Sequence, residues 1–299
     1  MVLESILEEL QKHGIEYKTD YSLKNASTFR IGGECSLALF PDSRLKLIVC
    51  LALLRDADIK SYVLGKCSNT LFADGHLDIA AVFTTKMDAI KVDGTHIVCD
   101  AGASLAAVSN AACKAGLGGM EFASGIPASV GGAVFMNAGA YGGQMSDVVV
   151  ESIALNKRSG QLMPLTRHGF GYRHSVYMKN KELVCIGATL KLEYADKAQI
   201  IERIKELAAQ RREKQPLEYP SAGSYFKRPE GDFAARLIDV CGLKGTSVGG
   251  AEVSQKHAGF IINKGGATCA DVLRLEEIVK DRVYEQTGIM LEREIEVIG

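Results

Sequence analysis

Residues 125–143 read GIPASVGGAVFMNAGAYGG, and this stretch decides how the chain is read. Six of its nineteen positions are glycine, yet an apolar run, Ala133-Val134-Phe135-Met136, sits in the middle. A flexible linker would carry Ser/Pro-rich repeats and no such run. Glycine admits φ > 0 and lets another backbone or a ligand approach closely. The bland alternative is a set of tight turns in a β-rich domain.

A second small-residue loop raises the value of the first. In SYVLGKCSNTLF (61–72) a strand-like run enters Gly65-Lys66-Cys67-Ser68-Asn69. A Walker phosphate loop is excluded, because Lys60 and Cys67 stand where its first glycine and its Ser/Thr belong. A nucleotide fingerprint of the GxGxxG type is absent too; GLGGME (116–121) has the wrong spacing. Two glycine-bearing loops, each with a Ser and an Asn, point to a dinucleotide held largely through backbone donors.

Bulk properties narrow the partners. The chain has 299 residues, 47% hydrophobic and 24% charged, with a formal net charge of -1. That balance gives no support for nucleic acid or an anionic membrane as partner. There is no run of about 18 apolar residues, and the N-terminus MVLESILEELQKHG is acidic where a signal peptide would be basic. Leu3, Ile6, Leu7 and Leu10 recur there at helical spacing, closed by Gly14. The eight cysteines form no CxxC pair and the histidines do not cluster, so a cytoplasmic chain with reduced thiols and no metal is expected.

Strand-like runs at 59–64, 79–83, 96–99, 147–155 and 182–192 alternate with helical patterns at 44–57 and 104–115. Composition shifts near residue 196. A helix is predicted over 197–214, with Ile200, Ile201, Ile204, Leu207 and Ala208 on one stripe, stopped by Pro216 and Pro220. Another runs over 270–286, ended by Gly288. The terminal IMLEREIEVIG alternates, with Ile289, Leu291, Ile295 and Val297 on one face and Glu292, Glu294 and Glu296 on the other.

Two further stretches carry chemistry. In RREKQPLEYPSAGSYFKRPEG (211–231), Arg211, Arg212, Lys214, Lys227 and Arg228 flank a serine-bearing turn, which suits an anionic small substrate such as a sugar nucleotide. The bland reading is a solvated helix end. Arg173 in FGYRHS (170–175) is either a positioned guanidinium or a structural ion pair. There is no GxSxG around Ser224, so serine-hydrolase chemistry finds no support.

Together these residues resemble the UDP-N-acetylenolpyruvoylglucosamine reductase family. The matching pieces are STFRIGG (27–33), LGKCSNTLF (64–72), the stretch 125–143, YRHS (172–175), PSAGSYFKRP (220–229), VGGAEVSQKHAGFIIN (248–263) and LEREIEVIG (291–299). They span essentially the whole chain in family order. The resemblance implies an α+β protein: a vanillyl-alcohol-oxidase/PCMH-type FAD-binding region of two subdomains, 1–85 and 86–196 (the flavin region about 28–193), plus a smaller α+β substrate-binding domain, 197–299. It implies FAD without a covalent link, consistent with the lack of histidine in 65–70. Gly65, Lys66, Cys67, Ser68 and Asn69, with Gly125, Ile126, Pro127, Ser129, Val130, Gly131, Gly132 and Asn137, would hold it, the pyrophosphate resting on backbone amides.

NADPH is the implied donor, and UDP-N-acetylglucosamine enolpyruvate the implied acceptor, in peptidoglycan precursor synthesis. Arg173 and Glu294 would flank the substrate carboxylate and Ser224 would deliver a proton. Alternation alone does not choose among the three glutamates; the family's terminal motif selects Glu294. Tyr172, Lys214, Lys227 and Arg228 would meet the sugar diphosphate. Many members have Asn at the position of Arg228 and a glycine-richer first loop than GKCSN. The chain lacks the longer subclass's tyrosine-bearing insertion and is expected to be a short-subclass monomer. Two rivals stand: an FAD-dependent carbohydrate oxidase, which needs no Arg173/Ser224/Glu294 set, and a flavin- or nucleotide-binding module without catalysis.

Overall fold

The computed structural model describes residues 2–299, Val2 as backbone only. Its contacts divide the described residues into two compact units: those up to residue 19 with 36–66 and 78–210, and residues 20–35, 67–77 and 211–299.

The first unit supplies most of a four-stranded sheet, the whole of a five-stranded one and two short two-stranded ribbons. The four-stranded sheet has the order Glu16–Ser22, Glu34–Phe40, His76–Phe83, Ser61–Leu64, the last two strands parallel. Helices Val2–Lys12 and Arg44–Asp56 close a core of Ile6, Leu10, Leu37, Leu39, Leu47, Leu54 and Val82. Ser43 caps the second helix by accepting from Lys46 N. The N-terminal periodicity holds in part: Ile6 and Leu10 are buried and Leu7 half-buried, Leu3 is exposed, and Gly14 takes φ +59°. The five-stranded sheet is antiparallel, ordered Leu162–Leu165, Val149–Asn156, Leu183–Lys191, His96–Asp100, Ile90–Asp93. Helix Leu105–Lys114, capped by Ser104 and followed by left-handed Gly116, packs on it with helix Val130–Met136.

This second core contains a buried polar knot. Ser152 Oγ lies 2.8 Å from His168 Nε2 and 2.6 Å from Tyr177 Oη. Burial holds the His168 pKa below its ordinary 6.5 and pushes Tyr177 up. The folded protein therefore resists a proton that the unfolded chain accepts. His168's contribution is complete above the ordinary histidine value and is lost as pH falls toward the depressed folded one. The urea midpoint should fall on acidification below about pH 6.5, and His168→Gln should flatten that slope. Equal slopes in parent and variant would contradict it. His257 is depressed by burial as well, so part of the slope survives.

The second unit is built on an antiparallel sheet ordered Ser221–Ser224, Phe260–Asn263, Ala251–Val253, Ser247–Val248. Helices Ala234–Val240 and Cys269–Thr287 cover its core of Leu237, Ile238, Val253, Ile261, Val272, Leu275 and Val279. The long helix opens on a capping box, Thr268 with Asp271, and ends at left-handed Gly288.

Two predicted patterns come out differently. In helix Lys197–Lys214 only Ile200 and Leu207 of the apolar stripe are fully buried, and Ile201 is exposed. The terminal stretch is a strand only over Glu296–Ile298, parallel to Thr70–Phe72. Upstream it pairs instead with the segment after Ser224, through the Phe226–Arg293 bridge. A chain that changes partner part-way cannot keep a period of two, so Leu291, Ile295 and Ile298 are the fully buried residues while Val297 is only half-buried.

Candidate active site

The two glycine loops meet at one oxygen. A Cβ on Gly65 would stand 2.0 Å from Ser129 Oγ, and one on Gly132 would stand 3.5 Å from it. Ser129 is 1% exposed, and among the described residues its hydroxyl has no hydrogen-bond partner. A buried hydroxyl in a cradle that side chains would fill is suited to a phosphate oxygen. The flavin pyrophosphate fits these residues. The amides of Ile126, Ala128, Val130 and Gly131 bond to carbonyls of the chain itself, those of Val130 and Gly131 to Ala103 and Ala101. The backbone-amide grip expected of this loop is therefore narrower than its glycine content suggests. Gly131 serves packing: its Cβ would lie 2.9 Å from Ala101 Cβ and 3.1 Å from the Cys185 carbonyl. Gly125, Pro127 and Gly132 are exposed, and Ile126 is half-buried.

Of the first loop, Gly65 and Lys66 belong to the first unit and Cys67, Ser68 and Asn69 to the second. Lys66 is exposed, whereas Cys67 is buried and left-handed at φ +48°, a conformation in which glycine is the unstrained choice. Burial pushes its thiol up to about 12, so it is neutral at physiological pH. Asn69 ties the loop to the terminal segment. Its Nδ2 donates to the Glu294 carbonyl at 3.2 Å, and its own carbonyl accepts from Glu296 N at 3.0 Å.

Arg173 sits on a turn. Gly171 and His174 exchange two backbone bonds, 3.1 and 3.2 Å, around Tyr172 and Arg173. Arg173 adopts φ +50°, its guanidinium carbon is 5.3 Å from the Tyr172 ring centre, and Nη2 donates to the Gly139 carbonyl at 3.3 Å. Asn137 clamps the turn. Its Nδ2 donates to the Gly171 carbonyl at 3.0 Å and to Gln144 Oε1 at 3.3 Å, and its Oδ1 accepts from Ser146 N at 2.9 Å. Ser175 Oγ donates to the Phe135 carbonyl at 2.7 Å on the other shoulder. An L-residue in the left-handed region costs roughly 1–2 kcal/mol, and such strain concentrates at functional positions. Arg173→Gly should therefore raise the unfolding free energy by about 1 kcal/mol in urea titration. An unchanged or lowered value would mean that the turn stores no strain.

Ser224 and Glu294 lie in the second unit, on adjoining segments. Glu294 N donates to the Tyr225 carbonyl and Lys227 N to the Glu292 carbonyl, both at 2.8 Å. Ser224 is exposed after left-handed Gly223 (φ +80°), and Glu294 is half-buried. Lys227 Nζ pairs with Glu292 at 3.2 Å, and the Arg228 guanidinium lies 4.5 Å from the Phe233 ring centre. Lys214 is exposed at the end of its helix. Tyr172 is exposed in the first unit.

Sequence reasoning missed the residues that hold this pair. Tyr225 Oη and Arg293 Nη1, each next to a candidate residue, both donate to Glu276. The available signal was an acidic residue inside the apolar stripe Val272, Leu275, Val279, Val283.

Comparison with known proteins agrees with this layout. Residues 36–165 match the family described as FAD binding domain, and residues 215–298 match UDP-N-acetylenolpyruvoylglucosamine reductase, C-terminal domain. The reductase of that name from Caldicellulosiruptor bescii is 45% identical over 97% of this chain and 93% of its own length. The one from Clostridium tetani is 43% identical over 99% and 96%. The crystal structure of the Thermus caldophilus reductase superposes with a TM-score of 0.80 at 34% identity, covering 95% of this chain and 99% of that one. The expected fold class holds: an α+β chain with an FAD-binding region followed by the family's C-terminal domain. Relatives this similar along nearly the full length leave one assignment, and the chain belongs to the UDP-N-acetylenolpyruvoylglucosamine reductase family.

Proposed function

We propose that this protein is an FAD-dependent oxidoreductase that reduces UDP-N-acetylglucosamine enolpyruvate to UDP-N-acetylmuramate, with NADPH as donor, in peptidoglycan precursor synthesis. The observation that carries the reading is the joining of Ser224 and Glu294 through the Tyr225–Glu294 backbone bond, in a chain whose family is shown. FAD, when bound, supplies the redox step, taking a hydride from NADPH and delivering it to the substrate. Gly65, Ser129 and Gly132 form the cradle for its pyrophosphate, with the rest of 65–69 and 125–132 around it. Residues 1–85 and 86–196 make up the flavin region, and 197–299 takes the substrate.

The substrate is an enol ether conjugated to a carboxylate. Hydride addition at the terminal carbon, C3, drives the π electrons toward the carboxylate and leaves carbanion character at C2. Arg173 stabilises that charge as a cation, and Glu294 in its acid form donates a hydrogen bond to it. Ser224 Oγ gives its proton to C2, closing the saturated lactyl ether. Lys227 offsets the alkoxide left on Ser224 and, with Tyr172, Lys214 and Arg228, contacts the sugar diphosphate. The protein works as a cytoplasmic monomer.

Turnover in D2O should place one deuterium at C2 of the product, the carbon protonated from solvent through Ser224. A product that carries no solvent deuterium at C2 would sink the assignment of the acid step, and a protein whose bound flavin is not reduced by NADPH would sink the assignment of the donor.

A further inference from the structure

Helix Cys269–Thr287 buries Val272, Leu275, Val279 and Val283, and Glu276 lies among them at 5% exposure. A carboxylate at that depth needs partners. It has three: Tyr225 Oη donates to Oε2 at 2.7 Å, Arg293 Nη1 donates to the same oxygen at 3.1 Å, and Lys280 Nζ pairs with Oε1. Burial pushes the Glu276 pKa up, but hydrogen bonds from Lys280 and Tyr225 and the charge of Arg293 outweigh it, so the carboxyl is held below its ordinary value.

The partners' places in the chain matter. Tyr225 follows Ser224, and Arg293 precedes Glu294. The two segments are joined by two backbone bonds, Glu294 N to the Tyr225 carbonyl and Lys227 N to the Glu292 carbonyl, around one bridge, and by the Lys227–Glu292 ion pair, whose carboxylate is exposed. Two backbone bonds are a weak lock on register. A single buried oxygen gripping one side chain from each segment adds a constraint that solvent does not weaken.

We propose that Glu276 is a positioning residue that fixes Ser224 against Glu294. The inference rests on the reading of those two residues given above. Glu276 itself touches neither substrate nor cofactor in this role. Lys280, four residues along the same helix and part-exposed, neutralises the charge without reaching either segment.

Three variants separate register from general stability: Glu276→Gln, Tyr225→Phe and Lys280→Met. In hydrogen exchange followed by mass spectrometry, peptides covering 224–227 and 291–296 should exchange at least about tenfold faster in Glu276→Gln. Tyr225→Phe, which removes one leg only and keeps the fold if Glu276→Gln does not, should show a smaller acceleration at the same places. Lys280→Met should match the parent there. In rapid mixing, Glu276→Gln should slow substrate-driven reoxidation of the flavin about tenfold and leave its reduction by NADPH within twofold. Unchanged exchange in both segments, or acceleration spread evenly across 211–299, overturns the proposal. If the parent protein is not reoxidised by the enolpyruvyl substrate, the proposed function fails. The exchange data then still decide whether Glu276 sets the register.

Discussion

Ser224→Ala is expected to leave reduction of the bound flavin by NADPH within about twofold of the parent and to slow reoxidation by the enolpyruvyl substrate by roughly 10²–10⁴-fold, the contribution of a positioned general acid. The structure makes this a clean substitution. Ser224 is exposed, so its hydroxyl is not part of the packing, and the strand geometry is set by its neighbours, left-handed Gly223 and buried Tyr225. The Tyr225 carbonyl keeps its bond from Glu294 N whatever side chain stands at 224. Unfolding midpoints of parent and variant should coincide. Rapid-mixing absorbance of the flavin, read separately for the two half-reactions, is the measurement. Equal losses in both would mean that Ser224 supports the flavin or the fold rather than protonating C2.

The second large effect belongs to Glu294. Glu294→Ala should slow the same half-reaction by roughly 10²–10³-fold, the range found on removing one donor from a developing anion. Glu294→Gln should lose far less, about tenfold, because an amide still donates a neutral hydrogen bond. Both backbone groups of Glu294 are pinned independently of its side chain, N–H to the Tyr225 carbonyl and C=O by Asn69 Nδ2. Neither variant should therefore shift the segment. If Gln proves as damaging as Ala, Glu294 acts through its charge or its proton, and the hydrogen-bond role is wrong.

Arg173, the third residue of the proposed mechanism, lies in the first unit. Its left-handed turn, clamped by Asn137, holds a guanidinium where glycine would be the relaxed residue. Strain kept in place by surrounding bonds is the pattern expected where orientation matters more than stability.

What the sequence made legible follows from how local each signal is. Helices 197–214 and 269–287 were readable because a helical pattern is closed within a few residues by a stopping Pro or Gly. Helix Val130–Met136 was hidden because it contains Gly131 and Gly132, poor helix formers retained for close approach to Ala101 and to Ser129. Strand Glu34–Phe40 gave no alternation because Leu37, Ala38 and Leu39 are all buried, on both faces. Residue types marked Arg173 and the serine-bearing turn at 221–226, whereas Glu294 and the role of Ser224 came only from the family resemblance. The parts played by Asn69, Asn137 and Glu276 were not legible. Asn69 acts on a carbonyl 225 residues away, and Tyr225 reaches Glu276 across 51 residues. Loop glycines likewise announced a ligand but not which of them face it; Gly131 turned out to pack on the sheet.

One chain that binds FAD, accepts electrons from NADPH and passes them to an enolpyruvyl sugar nucleotide has a direct spectroscopic signature. It is read from anaerobic visible spectra of the purified protein, taken before NADPH, after NADPH, and after UDP-N-acetylglucosamine enolpyruvate. An oxidised flavin spectrum, bleached by NADPH and restored by that substrate without oxygen, is the expected result. A flavin that bleaches and recovers only when oxygen is admitted would contradict the proposed reductase and leave an oxidase in its place.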